Sequence, residues 1–193
     1  ICDVENPRLI TTKTHIDQTE RMKSWMKKRL EELAAEDLVA YIFKTKSPSS
    51  GLRSVKVYSE SGNVVSYKGQ GMFARGFTER FPDIPVEDEG RLHDPGIREN
   101  FIETIFVLQR WRAGPRDGGP GKLVEFHSRH KYTLMAHGPE GLRQMGKIVA
   151  RVGAGDLAKL RDEYFSLLLA TLKLKKTVKK NYNVLLHIGA YFK

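Results

Sequence analysis

A chain of 193 residues, 40% apolar and 29% charged, has room for one large domain or two small ones around ordinary packed cores. No apolar run approaches the roughly 18 residues of a spanning helix, and the N-terminus has no basic stretch followed by an apolar one, so neither membrane insertion nor secretion is signalled and a cytoplasmic setting is the default. The one cysteine, Cys2, excludes an internal disulfide framework and cannot by itself hold a structural zinc or an iron-sulfur cluster.

The net charge of +10 is unevenly spread: residues 118–193 carry 14 Lys and Arg against 5 Asp and Glu, and residues 1–117 carry 19 against 18. A field of that sign attracts polyanions, nucleic acid above all, although a solvated basic surface is the plain alternative.

In chain order, Asp17-Gln18-Thr19-Glu20 reads as a capping box, with Asp17 accepting from the amide three residues on and Glu20 reaching back. Met22, Trp25, Met26, Leu30, Leu33 and Ala34 then recur at helical spacing and predict a helix that buries one face. Residues 38–43 read as a buried strand, 54–58 as an alternating one, and Val64-Val65 as the start of a third after the turn Ser61-Gly62-Asn63. Residues 71–81 look helical and stop before Pro82. Helix, strand, loop, strand, helix predicts an α/β domain over residues 1–112.

From Pro95 the pattern turns helical through Trp111, with Ile97, Phe101, Ile105 and Leu108 on one face. "AGPRDGGPG", residues 113–121, is the expected linker. Four helical stretches follow, at about 122–136, 139–151, 156–172 and 177–191, and predict an all-α bundle over residues 122–193.

Several stretches could carry chemistry. "KSPSSG", Lys46 to Gly51, places three hydroxyls and a proline after a predicted strand: a turn, or a loop shaped to hold a ligand. "HSRHKYTLMAH" supplies His127, His130 and His137. On a helix His127 and His130 could share an ion, whereas His137 lies too far along the axis, and a third ligand such as His187 has to come from elsewhere. Buried hydrogen-bonded rings, or phosphate and base contacts shared with Arg129 and Lys131, are the stronger readings. "KLKKTVKKNYN" offers five lysines for phosphates and Tyr182 as a stacking face, against the alternative of a solvated turn. "PVEDEGRLHDP" concentrates Glu87, Asp88, Glu89, Arg91, His93 and Asp94, which suits an acid/base site, a clamp for a substrate or a structural ion-pair loop, the last being the usual case. No GxGxxG, Walker loop, GxSxG or CxxC is present, so dinucleotide, nucleoside-triphosphate, hydrolase-elbow and thioredoxin chemistry lack their signatures.

Taken together, "FKTKSPSSG", "VKVY", "GQGMFARGFTERFP", "PVEDEGRLHDPGIRENFIE", "LVEFHSRHKYTLMAH" and "YNVLLHIGAYFK" resemble bacterial proteins in which a thiouracil-desulfidase-like domain is joined to a YbgA-like helical domain. The resemblance implies an iron-sulfur-dependent desulfidase that removes sulfur from thiolated uridine, in particular 4-thiouridine, in tRNA. A 4Fe-4S cluster on three cysteines would leave one iron open to accept the sulfur. It implies Cys2 as a cluster and metal ligand, Ser47, Ser49 and Ser50 along the substrate, and Glu87 and Glu89 in acid/base or positioning roles. Lys122, Arg129, His130, Lys131, His137, Arg143, Lys147, Lys176, Lys179, Lys180, Asn183 and His187 are the expected RNA contacts, with tRNA or another structured RNA as partner and no membrane. Two departures stand out: Ser50 occupies the place where many relatives carry cysteine, and residues before Ile1 and between Cys2 and Asp3 are expected to be missing relative to the family. The alternative expectation is a non-catalytic basic RNA-binding protein that has lost the cluster. A bundle that docks an acidic protein partner is a third.

Overall fold

The apolar spacing that predicts the first helix is met by α1, Thr19–Ala34, in a computed structural model that describes residues 7–192. Its start differs from the expected capping box. Gln18 holds the cap position without a side-chain bond, Asp17 Oδ1 accepts from the Thr19 amide at 2.9 Å, and Glu20 pairs with Lys23 at 2.8 Å instead of reaching back. The carboxylate is thus satisfied one turn position early, and the solvent-facing lysine competes for Glu20.

The strands follow: β1 (Tyr41–Phe43), β2 (Val55–Tyr58) and β3 (Val64–Gly69), then α2 (Met72–Arg80) and β4 (Val86–Asp88). β2 and β3 form an antiparallel hairpin over the expected turn, while β1 pairs in parallel with β4, Tyr41 opposite Val86 and Phe43 opposite Asp88. Residues 85–95 read as a loop by pattern alone, and β4 escapes that reading because a three-residue strand with two carboxylates has no apolar alternation to reveal it. A 3-10 turn, Arg91–His93, leads into α3 (Pro95–Ala113).

The remainder is helical: α4 (Pro120–His137), α5 (Pro139–Val149), α6 (Leu157–Leu172) and α7 (Val178–Gly189). Prolines open α4 and α5 where a missing amide costs no hydrogen bond. Asp156 caps α6 by accepting from Ala158 and Lys159, and Thr177 caps α7 by accepting from Lys180.

Two compact units result, residues Ile1–Phe101 and Ile102–Lys193, dividing inside α3. The Gly/Pro segment expected to link domains lies within the second unit, as the turn between α3 and α4. In the first unit the core is aromatic. Phe43, Phe73 and Phe77 are buried, and Tyr41 packs against all three with ring centroids 4.5 to 6.0 Å apart. In the second, Trp111 stacks on Tyr164 at 5.4 Å and on Phe165 at 5.3 Å, amid Leu123, Leu134, Met145 and Leu168. Truncating Phe77 or Trp111 to alanine is worth about 3–5 kcal/mol of the respective unit.

Candidate active site and basic face

Parallel strands aim their carboxyl ends the same way, and such an edge is where open α/β sheets take ligands. The chain leaving β1 forms the loop of residues 44–54, and the chain leaving β4 forms residues 89–94, so the two loops meet at that edge. The Glu89 amide donates to Phe43 O at 2.9 Å and continues the pairing into the loops.

The loop is rigid for stated reasons. Lys46 and Ser54 bracket it in the left-handed region, at φ 58° each, which costs a non-glycine residue energy that surrounding contacts must offset. Those contacts are short: the Gly51 amide donates to Ser47 O at 2.7 Å, the Gly71 amide to Gly51 O at 2.7 Å, and the Phe73 amide to Ser49 O at 2.8 Å. The loop therefore sits on the first turn of α2. Glycine is required at both approaches, because a Cβ on Gly51 would lie 2.5 Å from Ser47 O and one on Gly71 2.5 Å from Ser49 O.

Within it, Ser47 Oγ accepts from the Ser50 amide at 3.2 Å and lies 3.1 Å from Ser49 Oγ. The structure thus brings Ser47, Ser49 and Ser50 together, half-buried, on one short loop. Both flanks of the loop are tied to β4. Thr45 Oγ1 donates to Asp88 Oδ1 at 3.3 Å, and Arg53 reaches Glu87 Oε1 at 3.3 Å and Asp88 Oδ2 at 3.8 Å. Glu87 and Asp88 are buried. Glu87 Oε1 also accepts from the Asp88 amide and from Arg91 Nε, each at 3.0 Å, so this carboxylate is a fixed counterion. Glu89 is different: it is exposed, and among the described residues its side chain meets Lys44 at 3.5 Å. Sequence reasoning missed Arg53 and Thr45, which become part of the site only because β1 pairs with β4.

A 4Fe-4S cluster on three thiolates asks for donors that the described residues do not supply. Cys2, the one cysteine of the chain, lies outside the described residues. Among the described residues no group of three or more His, Cys, Asp or Glu is placed to hold a metal ion. Ser50 offers an uncharged hydroxyl where a thiolate would be needed. These residues do not fit the cluster.

The second unit sorts its basic residues into free and tethered ones. Lys131, Lys147 and Lys179 are not held by an acid among the described residues, and His187 is exposed on α7. Lys122 and Arg129 both pair with Glu125, at 3.2 and 3.0 Å, and hold its carboxyl below the ordinary range, while Arg143 pairs with Glu140 at 2.6 Å. Asn183 is half-buried.

Four of the expected RNA-contact residues have partners inside the second unit. His130 is buried and its Nδ1 lies 2.8 Å from Phe126 O. His137 is fully buried, with Nδ1 2.8 Å from Leu174 O and Nε2 2.7 Å from Glu103 Oε2. Lys176 Nζ donates to the same Glu103 oxygen at 2.8 Å, and Lys180 Nζ donates to the carbonyls of His137 and Lys175. These four groups are committed inside the unit; for His137, Lys176 and Lys180 the cause is the turn between α6 and α7, which folds back over the end of α4. His127 Nδ1 lies 3.1 Å from the Tyr164 hydroxyl.

Fold and site together define an α/β unit with a hydroxyl-lined loop at a parallel-sheet edge, followed by a basic helical unit. Residues 1–89 match the family described as 2-thiouracil desulfurase, and residues 131–193 match a family described as a protein of unknown function, DUF1722. In that order along the chain, the two matches are similar to a desulfidase-like domain followed by a YbgA-like domain. No curated protein and no solved structure matches it. No helix among the described residues is long and apolar enough to cross a membrane.

Proposed function

We propose that this protein recognises thiolated uridine in tRNA and replaces its sulfur with oxygen, the base lying against the Ser47–Gly51 loop and the RNA backbone along the lysines of the second unit. The observation that carries the reading is the desulfurase-family match over residues 1–89, the segment that contains the hydroxyl loop. Exchange of C=S for C=O consumes water and releases sulfide, with no net oxidation. Ser47 Oγ, accepting from the Ser50 amide, has its own proton to give, so Ser47 and Ser49 can donate to a carbonyl or thiocarbonyl of the pyrimidine. Glu89, exposed beside Lys44, can exchange protons with water. Glu87, already accepting from both Arg53 and Arg91, positions instead. The excess of positive charge in residues 118–193 supports an RNA substrate over a free base.

The implied 4Fe-4S cluster would need thiolates that the described residues do not supply. Ser50 favours a second reading, an RNA-binding protein without desulfuration. Iron and acid-labile sulfide per chain, on protein prepared without oxygen, separate the two. About four irons, with loss of 4-thiouridine from treated tRNA, supports the first. Absence of iron after reconstitution, with salt-sensitive tRNA binding and unchanged thiouridine, overturns it in favour of the second.

A further inference from the structure

The hairpin that follows the Ser47–Gly51 loop is two-sided. Val55 and Val57 of β2 are buried, whereas Tyr58 is 52% exposed and, on β3, Val65 and Tyr67 are 48% and 64% exposed. Lys56 is exposed as well, and its Nζ stands 5.8 Å from the centre of the Tyr67 ring. Neither strand carries an acidic residue, and Lys68 adds a second exposed cation near the end of β3. The ladder is irregular. Val57 pairs with Ser66 but Tyr58 with Val64, so Val65 is an extra residue, and a bulge of this kind re-aims side chains and increases the local twist.

We propose that this outer face, with Tyr58 and Tyr67 as its rings and Lys56 as its cation, is a stacking platform for the unpaired nucleotides that flank the base held on the Ser47–Gly51 loop. It rests on the proposed function for the RNA substrate. Chemistry on a base requires that the base leave its stack, and its neighbours then lose a stacking partner. An exposed phenol ring offers a replacement to any base, and a lysine beside it meets the backbone phosphate. Position favours this role. Gly69 lies opposite Val55 at the foot of the hairpin, the Gly71 amide donates to Gly51 O at 2.7 Å, and a Cβ on Gly51 would meet Val55 Cγ2 at 2.5 Å, so loop and hairpin are one continuous piece of the first unit.

Size and charge both select nucleic acid over protein as the occupant. Tyr58, Val65 and Tyr67 with their lysines present well under the roughly 800 Å² that each partner brings to a stable protein interface, whereas one ring face suffices for one base. The positive sign of the face complements phosphate.

Fluorescence anisotropy of the full chain with labelled hexauridylate, and with an abasic ribose-phosphate strand of the same length, tests this. Tyr58→Leu and Tyr67→Leu should each weaken hexauridylate binding about tenfold and leave the weaker binding of the abasic strand unchanged, whereas Tyr58→Phe and Tyr67→Phe should bind like the wild type. Lys56→Gln should reduce the slope of log affinity against log salt by about 0.7, the single-strand value for one phosphate. Urea unfolding of the leucine variants should match that of the wild type, which separates lost binding from lost folding. Hexauridylate affinity that is unchanged in both leucine variants, or no greater than that of the abasic strand, overturns the proposal, leaves the proposed function standing and passes the face to a protein partner. Tyrosine-dependent binding of hexauridylate together with unchanged 4-thiouridine in treated tRNA supports the platform and overturns the proposed function.

Discussion

Glu103 Oε2 on α3 lies 2.7 Å from His137 Nε2 on α4, and the same oxygen accepts from Lys176 Nζ at 2.8 Å. The other ring nitrogen, Nδ1, lies 2.8 Å from Leu174 O, so an acceptor stands at each nitrogen of the imidazole. Burial pushes Glu103 upward, but the hydrogen bonds and charges of His137 and Lys176 outweigh it and leave its carboxyl below the ordinary value of 4.5. A carboxylate depressed on folding contributes stability that is fully present above its unfolded value and is lost as pH falls through the folded one. Glu103→Gln should therefore cost about 2 kcal/mol at neutral pH and flatten the loss of stability below about pH 4.5. Thermal unfolding of both proteins across the acid range up to neutral pH reads this. Parallel curves would contradict it.

His127 and His130 predict an earlier acid effect. Burial lowers both rings below the ordinary value of 6.5, aided at His127 by Lys131 and opposed at His130 by the bond to Phe126 O. The unfolded chain binds these protons more readily than the folded one. Stability should fall as pH drops below about 6.5, before Glu103 contributes, and His130→Phe should remove part of that fall. Ring titrations followed by NMR supply the check, with midpoints below those of a free histidine expected.

Gly51 and Gly71 should tolerate no side chain. Each added Cβ would meet backbone at 2.5 Å, and backbone bonded into the loop cannot step aside. Gly51→Ala or Gly71→Ala should cost about 2–4 kcal/mol and disturb binding at the loop. Urea titration of all three variants checks this: Gly121→Ala, whose Cβ meets nothing within 4 Å on α4, should be neutral or slightly stabilising.

The five lysines of residues 173–180, across the turn between α6 and α7 and the first turn of α7, should separate into two groups. Lys173, Lys175 and Lys179 are exposed, whereas Lys176 and Lys180 are bonded internally. Replacing an exposed lysine with Gln should weaken tRNA binding and reduce the slope of log affinity against log salt by about 0.9 for each phosphate that the chain no longer neutralises. Lys176→Gln and Lys180→Gln should chiefly lower the melting temperature. Equal effects of all five on the salt slope would refute this division.

Long periodic segments were legible because their signal is local. The apolar repeat of α1, the prolines that open α4 and α5, and the glycines around residues 153–155 act within a turn or two of themselves, and these elements lie near their expected bounds. The capping box failed for an equally local reason, since Lys23 one turn on offers Glu20 a better partner. β4 was illegible: three residues with two acids become a strand only when β1 arrives beside them. The same pairing turned Arg53 from a surface cation into a partner of Glu87, and the return of the chain after α6 turned His137 and Lys176 from basic surface candidates into an internal network.

By itself the sequence determined the class: an α/β part then a helical one, a basic second half, one cysteine, and motifs that resemble the desulfurase family matched over residues 1–89. Composition and periodicity suffice for these because they depend on the kind of residue and its near neighbours. Only the tertiary structure decided which polar groups remain available. Whether a lysine, histidine or carboxylate faces water or a buried partner depends on residues 34 to 73 positions away, as with Glu103, His137 and Lys176, and that distance along the chain is closed by folding alone.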